Sequence, residues 1–378
     1  MSKRNPALDG IRGLAIILVL VWHFGPCLFI FQPAPHSLGR ALYNLAIPTQ
    51  AGVDLFFVLS GFLIGGILLD QRGAPNFLRV FYLRRGCRIF PLYYGWLAFY
   101  AMVVGLWPPR SPLFQQSFNA HIALWPFLIF VQNQAGDFAT AFNHSGLGVT
   151  WSLAVEEQFY LLMPWLVLGL PRRALAGLMA VAIVTAPCAR WYCSSPGDTI
   201  YTFCRWDALA WGVLLAMAIR DRRIWTVLVS RRGQLLWAWL AVLAVAWWQL
   251  GPGAETGVIY QSMLNLSWAG LLFFTLSAPE GRLGRLFATP WLARAGILSY
   301  AIYLFHIPML YLVFSLQDTT VSRPLIYDRF DVLLVLVAGV LTWGLAALLH
   351  RFVERPIMAW GHRMSYAGAV DHKTAKNT

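Results

Sequence analysis

Charge is scarce in this sequence: 12% of its 378 residues are Asp, Glu, Lys or Arg, against 58% that are hydrophobic. Soluble domains carry about twice that charged share, so an ordinary water-soluble domain is excluded first. Cysteine is scarce as well. Cys27, Cys87, Cys188, Cys193 and Cys204 show no metal-ligand spacing, which speaks against a cysteine-built metal centre. In an oxidising compartment two of Cys188, Cys193 and Cys204 are close enough in sequence to pair. The odd count and apolar surroundings favour free, buried thiols, and the pairing stays open. The sequence shows no low-complexity tract and no stretch that reads as a soluble domain or resembles a removable signal peptide. Its first apolar run lacks a small-residue cleavage site and reads as a retained anchor.

What is present is a series of apolar runs near the roughly 20 residues a helix needs to cross a bilayer. Ten spans are expected, roughly 8–31, 50–69, 89–107, 151–170, 174–190, 205–219, 234–250, 257–276, 296–316 and 331–352. The fold class is therefore all-α, a polytopic helical bundle integral to the lipid bilayer. The net charge of +13 is then a matter of topology before nucleic acid, and no nucleic-acid partner is expected. Placing both termini in the cytoplasm puts Arg84, Arg85 and Arg88, the arginines of 220–232 and those of 351–363 on one side, as the positive-inside rule requires. One transmembrane domain, 1–356, is expected. Its long outer connection, 108–150, contains the run Ile122–Val131, too short to span and suited to a re-entrant or interfacial helix. A short cytoplasmic tail, 357–378, is expected to be flexible. Oligomeric state leaves no mark in the sequence.

The ionisable groups inside these spans mark candidate sites, because charge in a membrane is costly. In LDGIRGLAIILVLVWHF, residues Asp9 and Arg12 precede His23. Arg12 and His23 lie eleven residues apart, so on one helix they share a face and stand about 16 Å apart. Asp54 opens the second span, either as a helix cap or as a carboxylate facing the same cavity. Arg84, Arg85 and Arg88 lie within about a turn at the cytoplasmic mouth of the third span, as topology signals or as a fork-like phosphate site. Ser152 and Glu156 are four apart in the fourth span and share a face, while Glu157 points elsewhere. A carboxylate beside His23 would orient it for general-base work on a hydroxyl; the structural alternative for Glu156 is a helix-start carboxylate. His306, two residues before Pro308, either satisfies a carbonyl freed by the proline or lines the cavity.

The ordered set LDGIRGLA, GVDLFFVLSGFLI, LRRGCR, TWSLAVEEQFY and SYAIYLFH resembles the acyltransferase 3 family of membrane-bound acyltransferases, over about residues 8–306. The resemblance implies transfer of an acyl group, commonly acetyl, from cytosolic acyl-coenzyme A to a carbohydrate hydroxyl. It also implies that His23 is catalytic with support from Arg12, and that Arg84, Arg85 and Arg88 serve donor handling or the fold. The expected protein is an O-acetyltransferase of the cytoplasmic membrane with no permanently bound cofactor and acetyl-coenzyme A as donor. Its acceptor is a surface polysaccharide, lipopolysaccharide or lipid-linked glycan. His23, oriented by Glu156 or Asp54, deprotonates the hydroxyl or carries the acyl group. Asp9, Ser152, Glu157 and His306 are expected around the cavity. The alternatives are acylation of a small-molecule sugar such as a macrolide, a transporter or flippase of glycan intermediates, and a non-catalytic scaffold.

Overall fold

The computed structural model describes residues 5–28, 37–106, 111–134, 145–193, 200–249, 258–317 and 323–367. Among them the regular structure is helical, and the long helices are labelled here in chain order. They are α1 (Pro6–Phe24), α2 (Gly52–Gln71), α3 (Phe77–Leu106), α4 (Trp151–Gly169), α5 (Arg172–Tyr192), α6 (Thr202–Arg220), α7 (Arg232–Trp248), α8 (Val258–Ser277), α9 (Pro290–Phe314) and α10 (Arg329–Leu349). Local chemistry sets several of the boundaries. Asn5 caps α1 by accepting from the Ala7 amide at 3.0 Å, with Pro6 at the first helical position, where its missing N–H is not needed. Asp328 and Asp331 form a capping box at the start of α10.

Each expected span thus coincides with a helix, but among the described residues seven helical stretches are long and apolar enough to cross a membrane. They contain α1, α2, α3, α5, α6, α9 and α10. The other three expected spans fall on α4, α7 and α8, and two of these have a visible reason. Helix α4 carries Glu156, Glu157 and Gln158, and α8 carries Gln261, Ser262, Asn265 and Ser267. The surface agrees with a lipid setting: on α10, Leu336 and Val340 are 62% and 72% exposed, a lipid-facing pattern for a spanning helix.

Two helix pairs meet backbone to backbone. A Cβ on Gly296 of α9 would lie 1.8 Å from the Asp9 carbonyl oxygen, and one on Gly13 of α1 would lie 2.1 Å from that of Leu292. The second pair repeats the arrangement: a Cβ on Gly61 of α2 would lie 2.0 Å from Leu209 O, and one on Gly212 of α6 would lie 2.1 Å from Val58 O. Small residues permit this approach where lipid removes the hydrophobic drive between helices. Gly296→Ala is expected to destabilise the fold by about 1–3 kcal/mol, the usual range for overpacking. A thermal melt in detergent measures it, and an unchanged midpoint would contradict the close approach of α1 and α9.

Three sequence expectations are corrected. The third helix begins at Phe77, not near residue 89, so Arg84, Arg85 and Arg88 sit within α3. In the run Ile122–Val131 the α-helix is a single turn, Trp125–Leu128. Its carbonyls are held by side chains: Tyr93 donates to Phe127 O at 2.9 Å and Gln158 donates to Phe130 O at 2.7 Å. Of the tail expected to be flexible, residues 357–367 are seated on the fold. Arg84 donates to Met364 O through Nε and Nη2 at 3.1 and 2.6 Å. Asn76 donates to Ser365 O at 3.0 Å and accepts from the Ala367 amide at 2.8 Å. Residues 107–110 and 135–144 of the outer connection, and 368–378 of the tail, lie outside the described residues.

Candidate active site

A cavity opens among α1, α2, α3, α4 and α9. Its basic wall is Arg12 from α1 and Arg85 and Arg88 from α3. The opposing polar wall has Ser60 from α2 and the row Ser152, Glu156 and Tyr160 from α4, four residues apart and so on one face. Helix α9 adds Ser299, Tyr300 and Tyr303. Ser60 donates to Glu156 Oε1 at 2.5 Å and shares a hydrogen bond of 3.1 Å with the Tyr160 hydroxyl. Arg85 stacks over the Tyr160 ring at 5.9 Å, and Arg12 lies 3.6 Å from Asp9. The cavity wall therefore combines three guanidiniums with one carboxylate, and such a site favours an anion with several acceptor oxygens.

The histidines occupy a second level. His23 Nδ1 lies 2.9 Å from Val19 O, and His306 Nδ1 lies 2.8 Å from Tyr303 O and 3.2 Å from Ile302 O. A ring nitrogen facing a carbonyl must carry the hydrogen, so each neutral ring keeps its lone pair on Nε2. The two rings pack edge to face, 4.9 Å apart at 64°. His23 is absent from the cavity wall. It is joined to that wall along α1 from Arg12, and through His306 to Tyr303, whose rings lie 5.8 Å apart.

Several predicted roles change. Asp54 is neither a cap nor part of the cavity wall; its Oδ1 accepts from Arg205 at 3.0 Å. Beside it Arg190 and Asp207 form a bidentate pair at 3.2 and 2.9 Å, and both also bond Ser262. Glu156 is spent on Ser60 within the arginine cavity, while the bond to His23 Nδ1 comes from its own helix at Val19. Neither carboxylate is therefore the group that orients His23. Arg84 is turned away to Met364 O and the Tyr366 ring, because it stands about 100° from Arg85 on the helix. Asp9 and Glu157 do not line the cavity, and Glu157 Oε1 is buried with no hydrogen-bond partner among the described residues. His306 joins His23 rather than the cavity wall.

Sequence reasoning missed Ser60, Tyr160, Tyr300 and Tyr303. The signal for Tyr160 was present, since it continues the Ser152–Glu156 row by one more step of four. The ion pairs of Arg205 and Arg190 were also missed. RWD at 205–207 offered the cue, a charged triplet at the start of an apolar run.

No solved structure matches the chain significantly. Protein YrhL of Bacillus subtilis (strain 168), provisionally named a peptidoglycan O-acetyltransferase, is 27% identical over 95% of this chain and 55% of its own. The peptidoglycan O-acetyltransferase OatA of Listeria monocytogenes is 26% identical over 98% of this chain and 58% of its own. The O-acetyltransferase OatA of Staphylococcus aureus (strain NCTC 8325) is 25% identical over 95% and 58%. The chain thus spans less than two thirds of the length of these relatives. The family described as an acyltransferase domain, acyltransferase 3, matches residues 5–351, from the start of α1 past the end of α10, and the chain belongs to that family.

Proposed function

We propose that the protein is a multi-pass O-acyltransferase of the cytoplasmic membrane. It moves an acyl group, acetyl foremost, from acyl-coenzyme A to a hydroxyl of a cell-envelope carbohydrate. The observation that carries this reading is the pairing of a three-arginine cavity with a histidine lone pair farther along the same helix. The phosphates of coenzyme A suit Arg12, Arg85 and Arg88. The pantetheine arm then follows α1 for about 16 Å, the rise of eleven helical residues, to His23. There Nε2 either takes the hydroxyl proton or carries the acyl group. The names of the relatives put peptidoglycan first among acceptors.

The orientation in this proposal has ten helices crossing and both termini in the cytoplasm. It is supported by basic contacts that gather at one end of the bundle. Arg72 donates to Leu168 O at the end of α4, and Arg220 at the end of α6 binds Asp70 of α2 at 2.6 Å. This is the end from which Arg84 reaches the tail, and a positive end favours the cytoplasm.

Kinetics with acetyl-coenzyme A test the donor site. Loss of a hydrogen bond to a charged group is worth about 1.5–3 kcal/mol. Arg85→Gln and Arg88→Gln should therefore each raise the donor KM about 10- to 100-fold. Arg84→Gln should leave it within about twofold, since Arg84 faces the tail. Equal effects from all three would place the donor elsewhere.

A further inference from the structure

The hairpin of α5 and α6 sets residues against each other in matched positions. Arg190 of α5 faces Asp207 of α6, both buried and in bidentate contact. Three residues farther along α5 stands Cys193, and three residues earlier on α6 stands Cys204. In antiparallel helices a step of three moves both partners about 4.5 Å in the same direction and returns near the same face. The two cysteines are therefore the next rung of the same ladder. Arg190 also donates to Cys204 O at 2.5 Å, which ties the end of α5 to the start of α6. The Cys193 amide still bonds Ala189 O at 2.9 Å, so the residue continues the helical course. Both cysteines are buried, and their thiols lie within hydrogen-bond reach of one another. The remaining cysteines are elsewhere. Cys27 is exposed, Cys188 is exposed and bonds Val184 O of its own helix at 3.7 Å, and Cys87 packs beside Gly361 near the opposite end.

We propose that Cys193 and Cys204 form a disulfide that staples the end of α5 to the start of α6. The inference rests on the orientation proposed above. The pair lies at the end of the bundle opposite Arg72, Arg220 and the seated tail, hence in the outer compartment, where disulfides persist. A disulfide asks for a sulfur–sulfur bond of about 2.04 Å, which thiols already in contact reach by side-chain rotation. Each thiol gives up its hydrogen and the S–S bond forms. The two electrons and two protons pass to a disulfide oxidant of that compartment, which leaves as a dithiol. The loop so closed carries Ile200, and Thr202 follows it at the start of α6. Asn133 of the outer connection donates to Ile200 O at 3.2 Å and to Thr202 Oγ1 at 2.9 Å. The staple thus steadies the surface that, in this orientation, an outside acceptor meets.

The test reads the full chain in the membranes of bacterial cells with an oxidising outer compartment. The cells are quenched in acid and unfolded, and free thiols are blocked with N-ethylmaleimide before tryptic mapping by mass spectrometry. Both cysteines fall in one tryptic peptide, 191–205. It should carry no maleimide, weigh two hydrogens less than the dithiol, and take up maleimide at both cysteines after reduction. The peptides bearing Cys27, Cys87 and Cys188 should be alkylated from the start. In detergent, reductant should lower the wild-type melting midpoint by about 3–8 °C and leave that of Cys204→Ala unmoved. Maleimide on both cysteines before reduction, or a bond from either one to Cys188, would overturn the proposal. Purified protein treated with oxidised glutathione then separates the two premises. If peptide 191–205 closes there, the contact stands and the orientation fails; if it stays open, the contact itself fails.

Discussion

His23→Ala is expected to lower acyl transfer by about 10²- to 10⁴-fold, the contribution of a positioned general base, while leaving the protein folded. The side chain is half-buried and makes its hydrogen bond to a carbonyl of its own helix, Val19 O. Its removal therefore leaves the helix packing around Gly13 and Gly296 intact. Label from acetyl-coenzyme A, followed into a hydroxyl ester on glycan fragments, reads the transfer in liposomes. A thermal melt of the same preparation reads the fold. Thioester loss without a labelled ester would keep the donor half of the reaction and redirect the search for the acceptor. Transfer at the wild-type rate by His23→Ala would remove His23 from the chemistry.

The second large effect concerns stability. Arg190 and Asp207 are both buried, with bidentate contact, and Arg190 also donates to Cys204 O at 2.5 Å. Removing one member of a buried pair strands the other charge and costs about 3–5 kcal/mol. Arg190→Met is expected to fall in that range, seen as a lowered melting midpoint in detergent. The double variant Arg190→Met/Asp207→Leu should recover much of the loss, because a buried ion pair and an apolar pair of similar volume are often close in stability. The cluster of Arg190, Asp207, Arg205 and Asp54 does not line the arginine cavity. Protein that survives the substitution should therefore keep its donor KM. A double variant no better than the single would mean that the pair does more than neutralise itself.

The helices were legible because apolar runs of about 20 residues have few alternatives in lipid. Counting residues around a helix put Ser152 and Glu156 on one face, which is local geometry; that Arg12 of another helix lines the same cavity was not readable from spacing. What spacing could not show was partner choice. Asp54 and Glu156 were equal candidates to orient His23, but each turns toward a residue far away in sequence, Arg205 and Ser60. Arg84, Arg85 and Arg88 read as one cluster. The helix running through them divides the cluster between two faces, and the seated tail takes Arg84. His306 had two readings in the sequence, a proline-linked bond or a place on the cavity wall. Its contact with His23 follows from the crossing of α1 and α9, which depends on glycines that hydropathy does not weigh.

The uneven balance of the cavity, Arg12, Arg85 and Arg88 against Glu156, reaches beyond the reaction. Like charges confined at low dielectric repel one another, so an anion bound among the three arginines is expected to relieve that repulsion. By mass action a ligand that binds only the folded chain adds stability, about 2.7 kcal/mol at a hundred times its dissociation constant. Heat resistance then becomes a gauge of occupancy. Coenzyme A, its fragments and simple polyphosphates could be ranked by how far each raises the melting point, with no acceptor in the tube and no turnover required.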